Sequence, residues 1–256
     1  GGEGRPIFCA KYDAQGTLKW VKTTSGKVSG SGHGVAVDAA NNIYIGGSAS
    51  GEGLFDDRPM KSTGAFAAKL DAQGAAQWVT PTAGGGAHEI TADAQGRVWL
   101  AGMFKGKIKI GDTEYTSGGD KDNDGFIAHL TKDGKITWSQ VIQSPAVDYC
   151  LGVATDGNGT AFVCGEFSGT ATFAGQTLTS HGATDIQIGA LDEGGKLLWL
   201  TQVGGAKGDN AYTMAFHPES GDLAIGGAFT GPATFGAKKA PVTGAADLYG
   251  LKMRVK

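Results

Sequence analysis

"LDAQGAAQW", residues 70–78, carries no catalytic signature, yet the chain writes it again. "YDAQGTLKW" stands at 12–20, "LTKDGKITW" at 130–138 and "LDEGGKLLW" at 191–199. Asp13, Asp71 and Asp192, with Thr131 in the same place, each precede a glycine by three residues: Gly16, Gly74, Gly195 and Gly134. Four residues after each glycine comes a tryptophan, and Trp20, Trp78, Trp138 and Trp199 are spaced by 58, 60 and 61 residues. Asp-x-x-Gly reads as a type I turn closed by a left-handed glycine, with the carboxylate accepting hydrogen bonds from its own turn. The recurring aspartates are therefore turn formers before they are candidate acids.

Working outward, a short apolar segment precedes each turn: "IFCAKY", "FAAKL", "FIAHL" and "IQIGAL", with a fifth copy, "LYGLKM", at 248–253. A second recurring word lies between them. "GVAVDAANNIYIGGS" (34–48) matches "EITADAQGRVWLAGM", "GVATDGNGTAFVCGE" and "TMAFHPESGDLAIGGA". Downstream come "FKGKIKIG", "FSGTATFAG" and "FTGPATFG", a Phe-x-Gly turn and a short apolar strand. The segments run four to seven residues, are rich in β-branched and aromatic side chains, and end at Gly, Asn or Asp, which is the strand and hairpin signature. No helical period survives across ten residues.

One repeat thus holds four strands, exemplified in order by "GVAVD", "IYIGG", "FAAKL" and "AAQWV". Four-stranded units at this period predict an all-β fold, a β-propeller of four-stranded blades, since a lone blade leaves apolar faces that only its neighbours cover. The whole chain, 1–256, reads as one domain: a partial repeat over about 1–30, then repeats over about 31–84, 85–145, 146–206 and 207–256. The tryptophan starts the fourth strand and is expected to pack between blades. Third strands number five and the other kinds four, so closure stays open. "TLKWVKT" can complete the last blade as a terminal clasp, five blade positions can include an incomplete first one, or the chain can belong to a larger ring.

Composition narrows the partners. The 256 residues include 45 Gly and only 7 Pro, and the net charge is −3. Without a basic stripe, nucleic acid and anionic membrane are poor partners. No apolar run approaches the length of a membrane-spanning helix, so no membrane insertion is expected. Cys9, Cys150 and Cys164 are too few for a disulfide scaffold. Cys150 and Cys164 fall in columns that otherwise hold Gly and Ala, which suits buried thiols; a cross-strand disulfide between them is the alternative.

The words "GVAVDAANNIYIGGS", "FAAKLDAQGAAQW" and "GEFSGTATFAGQTLTSHGATDIQIGALDEGGKLLW" resemble the SBBP-type β-propeller repeats of bacterial secreted and surface proteins. The resemblance covers roughly residues 5–254 and implies a scaffold in an exported protein, periplasmic, cell-surface or secreted. It brings no catalytic residues. A likeness to the quinoprotein dehydrogenase propellers is superficial: the Asp-to-Trp spacing is seven residues instead of eight, and the Thr before the Gly is absent.

Two constellations carry candidate chemistry. "DKDNDG" (120–125) alternates Asp120, Asp122 and Asp124 ahead of a glycine, like the first half of a calcium loop, although Thr131 stands where a bidentate Glu is required. Calcium is the one cofactor this suggests; an acidic solvated turn is the plainer reading. His33 and His88 share a column with Leu151 and Tyr212 at the start of the innermost strand. With Glu89 beside them, His33, His88 and Tyr212 are expected to rim a channel mouth and to contact a ligand or a metal; solvated strand entrances are the plainer reading. Tyr115, Tyr212 and Phe55 are candidates to stack on sugars or, equally, to pack between blades. His129 takes a column of lysines and is expected at the surface, and His181 and His217 in turns. The sequence thus points to a non-enzymatic module that binds another protein or a glycan, with further subunits of a larger complex among its partners. The rival is a glycan lyase or hydrolase with acidic residues at the mouth.

Overall fold

The computed structural model describes residues 4–119, 122–236 and 238–255. It is all-β: the described residues form antiparallel sheets and contain no helix. A partial first unit holds β1 (Phe8–Tyr12) and β2 (Leu18–Gly26). The second holds β3 (Ser29–Val37), β4 (Ile43–Phe55), β5 (Arg58–Leu70) and β6 (Ala76–Pro81). The third runs through β7 (Gly86–Ala92), β8 (Val98–Lys105), β9 (Lys107–Ile110), β10 (Thr113–Thr116), β11 (Asn123–Leu130) and β12 (Ile136–Gln143). The fourth comprises β13 (Tyr149–Thr155), β14 (Ala161–Phe167), β15 (Thr170–Phe173), β16 (Gln176–Thr179), β17 (Asp185–Leu191) and β18 (Leu197–Gly205). The last has β19 (Asp209–His217), β20 (Asp222–Phe229), β21 (Ala233–Phe235), β22 (Lys238–Ala240) and β23 (Asp247–Arg254).

The four-strand meander expected from the repeat is present in the order β3-β4-β5-β6, β7-β8-β11-β12 and β13-β14-β17-β18. The turns behave as their residues dictate. The amide of Gly74 donates to Asp71 O at 2.9 Å, and the Asp71 carboxylate accepts from the amides of Gln73 and Ala75. Gly74 sits at φ 84°, where a Cβ is penalised.

The apolar clusters lie between consecutive units. One joins Tyr44, Ala65 and Ala67 to Ile90, Leu100 and Phe104; the next joins Trp99 and Ile127 to Val153, Val163 and Phe173; a third joins Phe162 and Ile188 to Met214 and Ile225. The first three repeat tryptophans reach forward, Trp20 to Ala72 O among them. The Nε1–H of Trp78 donates to Lys132 O at 2.9 Å and that of Trp138 to Glu193 O at 2.8 Å, the indoles lying over Gly134 and Gly195 of the next turn. A side chain that starts the fourth strand of one unit thereby bonds the turn of the next.

The Phe-x-Gly segments reach backward. They form an extra hairpin between the second and third strands, which the sequence reading placed within the unit. The hairpin instead docks on the fourth strand of the preceding unit. Phe173 pairs with Ile142, Thr234 with Gly204, and Lys109 bridges Ala83. In the second unit the same role falls to the long β4–β5 hairpin, whose Phe55 pairs with Thr24 of β2.

The terminal clasp is not formed. β2 pairs with β1 and with the tip of β4, while β23 pairs with β20. The described sheets therefore do not close into a ring. The surplus third strand, β1, holds the edge of β2 that the clasp assigned to β23.

Candidate functional site

The first strands of the four units, β3, β7, β13 and β19, each carry one β-bulge, between Gly32 and Gly34, Ala87 and Glu89, Cys150 and Gly152, and Ala211 and Thr213. The extra residues are His33, His88, Leu151 and Tyr212, the column singled out in the sequence. A bulge re-aims its residue out of the pleat. His33, His88 and Tyr212 are exposed and Leu151 is buried. His33 Nδ1 lies 2.9 Å from Ala87 O, a contact that requires the proton on Nδ1. The His33 and His88 rings are 6.1 Å apart. Burial, and then the neighbouring His33, hold His88 below the usual imidazole range.

Glu89 follows the bulge where the other units have Gly34, Gly152 and Thr213. Gly152 leaves no side chain in its way. The Glu89 carboxylate accepts the Val153 amide at 3.1 Å and the Thr213 hydroxyl at 3.2 Å, so it touches two further units. Burial pushes its pKa up to about 7. The constellation therefore holds a carboxyl that titrates near neutrality beside two imidazoles and a phenol.

Of the acidic stretch, Asp120 lies outside the described residues. Asp122 is half-buried, and Asp124 is fully buried within β11, its Oδ2 accepting the Gly118 amide at 2.8 Å. Its other oxygen has no partner among the described residues, and burial raises its pKa. That oxygen suits a hard cation. The rest of a calcium loop does not follow, because the chain from Asn123 onward is committed to a strand. The described residues bring no three His, Cys, Asp or Glu side chains together as a metal cluster.

Other expectations need correction. His129 is not at the surface: it is 5% exposed, its ring 5.1 Å from Trp99 and stacked 5.6 Å from Trp138. Neutral imidazole packs there as an aromatic, and burial lowers its pKa. Phe55 is completely buried under β2 and cannot meet a sugar. Tyr115 is half-buried with its hydroxyl on Ser139, and Tyr212 stays exposed. His217 ends β19, and His181 lies in a bend with Nδ1 2.6 Å from Asp185 Oδ2. Cys150 and Cys164 are free and buried, as their small-residue columns suggested, and Cys9 is also free.

The sequence reading missed the buried carboxylates at the unit junctions. Asp148 immediately precedes β13 and Asp209 opens β19, each beside a carboxylate of the preceding unit, Asp124 and Asp185. A Cβ on Gly204 would lie 2.6 Å from the Asp185 carboxyl carbon and 3.0 Å from Asp209 Oδ2, so the two carboxyls converge there. Burial, reinforced by the neighbouring carboxylate, raises Asp148 to about 7 and Asp209 to about 6; Glu166, near Asp148, is also raised to about 7. The signal in the sequence was Asp one residue before Tyr149 and before Asn210, outside the turn motif.

A scan against protein-family models returns no match for this chain, and neither does a search of curated proteins.

Proposed function

We propose that the chain is a non-enzymatic, exported β-propeller of the SBBP-repeat type that binds a protein or glycan at the mouth formed by its innermost strands. Each sheet is read as a blade, and the inner strands as the lining of an axis. The observation that carries this reading is the bulge column. Three of its four residues, His33, His88 and Tyr212, are presented to solvent from a scaffold that Glu89 ties together across three units. Rigid placement of exposed aromatic and imidazole groups is what a recognition surface needs, because little side-chain entropy is lost on binding. A calcium ion held by Asp122 and Asp124 belongs to this reading, supported by the unpartnered buried oxygen of Asp124.

A second reading, a glycan lyase or hydrolase, draws on one observation: the Glu89 carboxyl titrates near pH 7 next to two histidines, where a general acid or base is most effective.

The test is a glycan array and a peptide-display selection on the full chain, repeated with His88→Ala and Tyr212→Ala. Binding that falls about tenfold or more in both variants is expected for a recognition site. Binding indifferent to both would remove the mouth from the reading. Release of new sugar ends that depends on Glu89 would replace the binder with an enzyme. A melting temperature unmoved by chelator would remove the calcium.

A further inference from the structure

His33 and His88 are placed by the same device in consecutive units. Each is the extra residue of a β-bulge, and each is exposed. Each also commits one ring N–H to the main chain of the following unit. His33 Nδ1 donates to Ala87 O at 2.9 Å, and His88 hydrogen-bonds the backbone of Leu151. Among the described residues nothing engages the lone pair on the other ring nitrogen of either side chain.

An imidazole that gives one N–H to a carbonyl is fixed in its tautomer and made more basic at its second nitrogen, which is how metal-ligating histidines are held. The spacing of the pair suits a shared ion. With metal–nitrogen bonds of about 2.0–2.1 Å, two imidazoles on one ion have ring centres about 5 Å apart at a tetrahedral angle and about 6.5 Å apart when opposed. The His33 and His88 rings are 6.1 Å apart, nearer the opposed arrangement that a tetragonal ion takes.

We propose that His33 and His88 together bind one divalent transition-metal ion, Cu²⁺ in preference to Zn²⁺. The order follows from the wide angle between the two nitrogens and from the greater affinity of nitrogen donors for Cu²⁺. No third His, Cys, Asp or Glu completes a cluster with them among the described residues. The nearest carboxylate in sequence, Glu89, is already engaged by the Val153 amide and the Thr213 hydroxyl. Two protein ligands leave the ion open to water and to an oxygen or nitrogen donor of a molecule bound at the mouth. The inference rests on the reading of the bulge column as a binding surface, and it gives that surface a means of recognition.

Calorimetric titration of the full chain with Cu²⁺, with electron paramagnetic resonance of the product, tests this. The expected result is one tightly bound ion per chain whose spectrum shows two imidazole nitrogens. His33→Ala and His88→Ala should each weaken binding by about 100-fold or more, since even an outer partner of a ligand is worth about 10- to 100-fold. His181→Ala and His217→Ala should leave it unchanged. The melting temperature in metal-free buffer checks folding, and neither exposed side chain should move it. Absence of stoichiometric binding, a spectrum with fewer than two nitrogens or with sulfur, or affinity kept in either mouth variant would overturn the proposal. Glycan and peptide binding, measured with Cu²⁺ and with chelator, separates this inference from the broader one. An ion bound at both histidines with no glycan or peptide captured keeps the metal site and removes the recognition surface. Capture that needs His88 and Tyr212 in a chain that binds no ion does the reverse.

Discussion

Thr213 donates its hydroxyl proton to Glu89 at 3.2 Å, although 124 positions separate the two residues in the chain. The same carboxylate accepts the amide of Val153. One side chain thus ties the first strands of three units, and it does so from a setting dry enough to raise its own pKa to about 7.

That setting makes the contribution of the buried carboxyls to stability fall with rising pH, against a smaller opposite contribution from His88 and His129, whose pKa values burial lowers. Glu89, Asp148 and Glu166 titrate at about 7 in the folded chain and Asp209 at about 6, all raised above their ordinary values by burial. The unfolded chain gives up these protons first, near pH 4. Their stabilising effect is therefore complete below about pH 4 and is lost as pH climbs through about 7. The melting temperature should drop by several degrees between pH 5 and pH 8, at about 2–4 °C per kcal/mol for a chain of this size. Glu89→Gln should lessen the drop. A melting temperature that rises over that interval would contradict the assignment.

The forward reach of tryptophan should be measurable by comparing two of them. Trp138 covers Gly195 and bonds Glu193, whereas Trp199 has no following turn to bond among the described residues. Trp138→Ala should cost about 3 kcal/mol, the low end for a large buried aromatic, and Trp199→Ala clearly less. Denaturant midpoints of the two variants decide it; equal losses would mean that the indole-to-turn contact adds nothing.

A glycine pair separates backbone strain from crowding. Gly134 and Gly157 have φ of 79° and 78°. A Cβ on Gly134 would lie 2.6 Å from the Trp78 ring, and one on Gly157 would meet nothing within 4 Å. Gly157→Ala should cost about 1 kcal/mol for conformation alone, and Gly134→Ala substantially more. Chemical unfolding of both variants gives the difference directly.

Thiol labelling distinguishes free from bridged cysteines. Cys150 and Cys164 are buried, and burial pushes both thiols far above the ordinary range. Both should resist a disulfide-exchange reagent in the native chain and react fully in denaturant without prior reduction, since only thiolate attacks. A requirement for reductant would mean that they pair.

Features encoded in a few adjacent residues were legible before any coordinates. Asp71 to Gly74 is a turn because its own carboxylate and one left-handed glycine make it so, and the meander follows from its recurrence. The His33, His88, Leu151 and Tyr212 column was also visible, although the bulge that gives it meaning depends on pairing with the next strand. What escaped depends on partners far along the chain. His129 looks like a surface residue until Trp99 and Trp138 close on it. Phe55 looks like an exposed loop aromatic until β2 covers it. The backward docking of the Phe-x-Gly hairpins has no local sign, because the strand that accepts Phe173 ends thirty residues earlier, at Gln143. Asp148 and Asp209 stand outside the turn motif, and only the junction shows their carboxyls buried.

The backward-docking hairpins also set how the molecule answers to mechanical load. Each unit grips the one before it, so under a tension equal along the chain the first to yield is the last unit, whose outer edge no hairpin grips among the described residues. Extension should then proceed in discrete steps from the C-terminal side. Each step would release about sixty residues, roughly 200 Å of chain at about 3.3–3.6 Å per residue, before the next pair of interlocked strands takes up the strain.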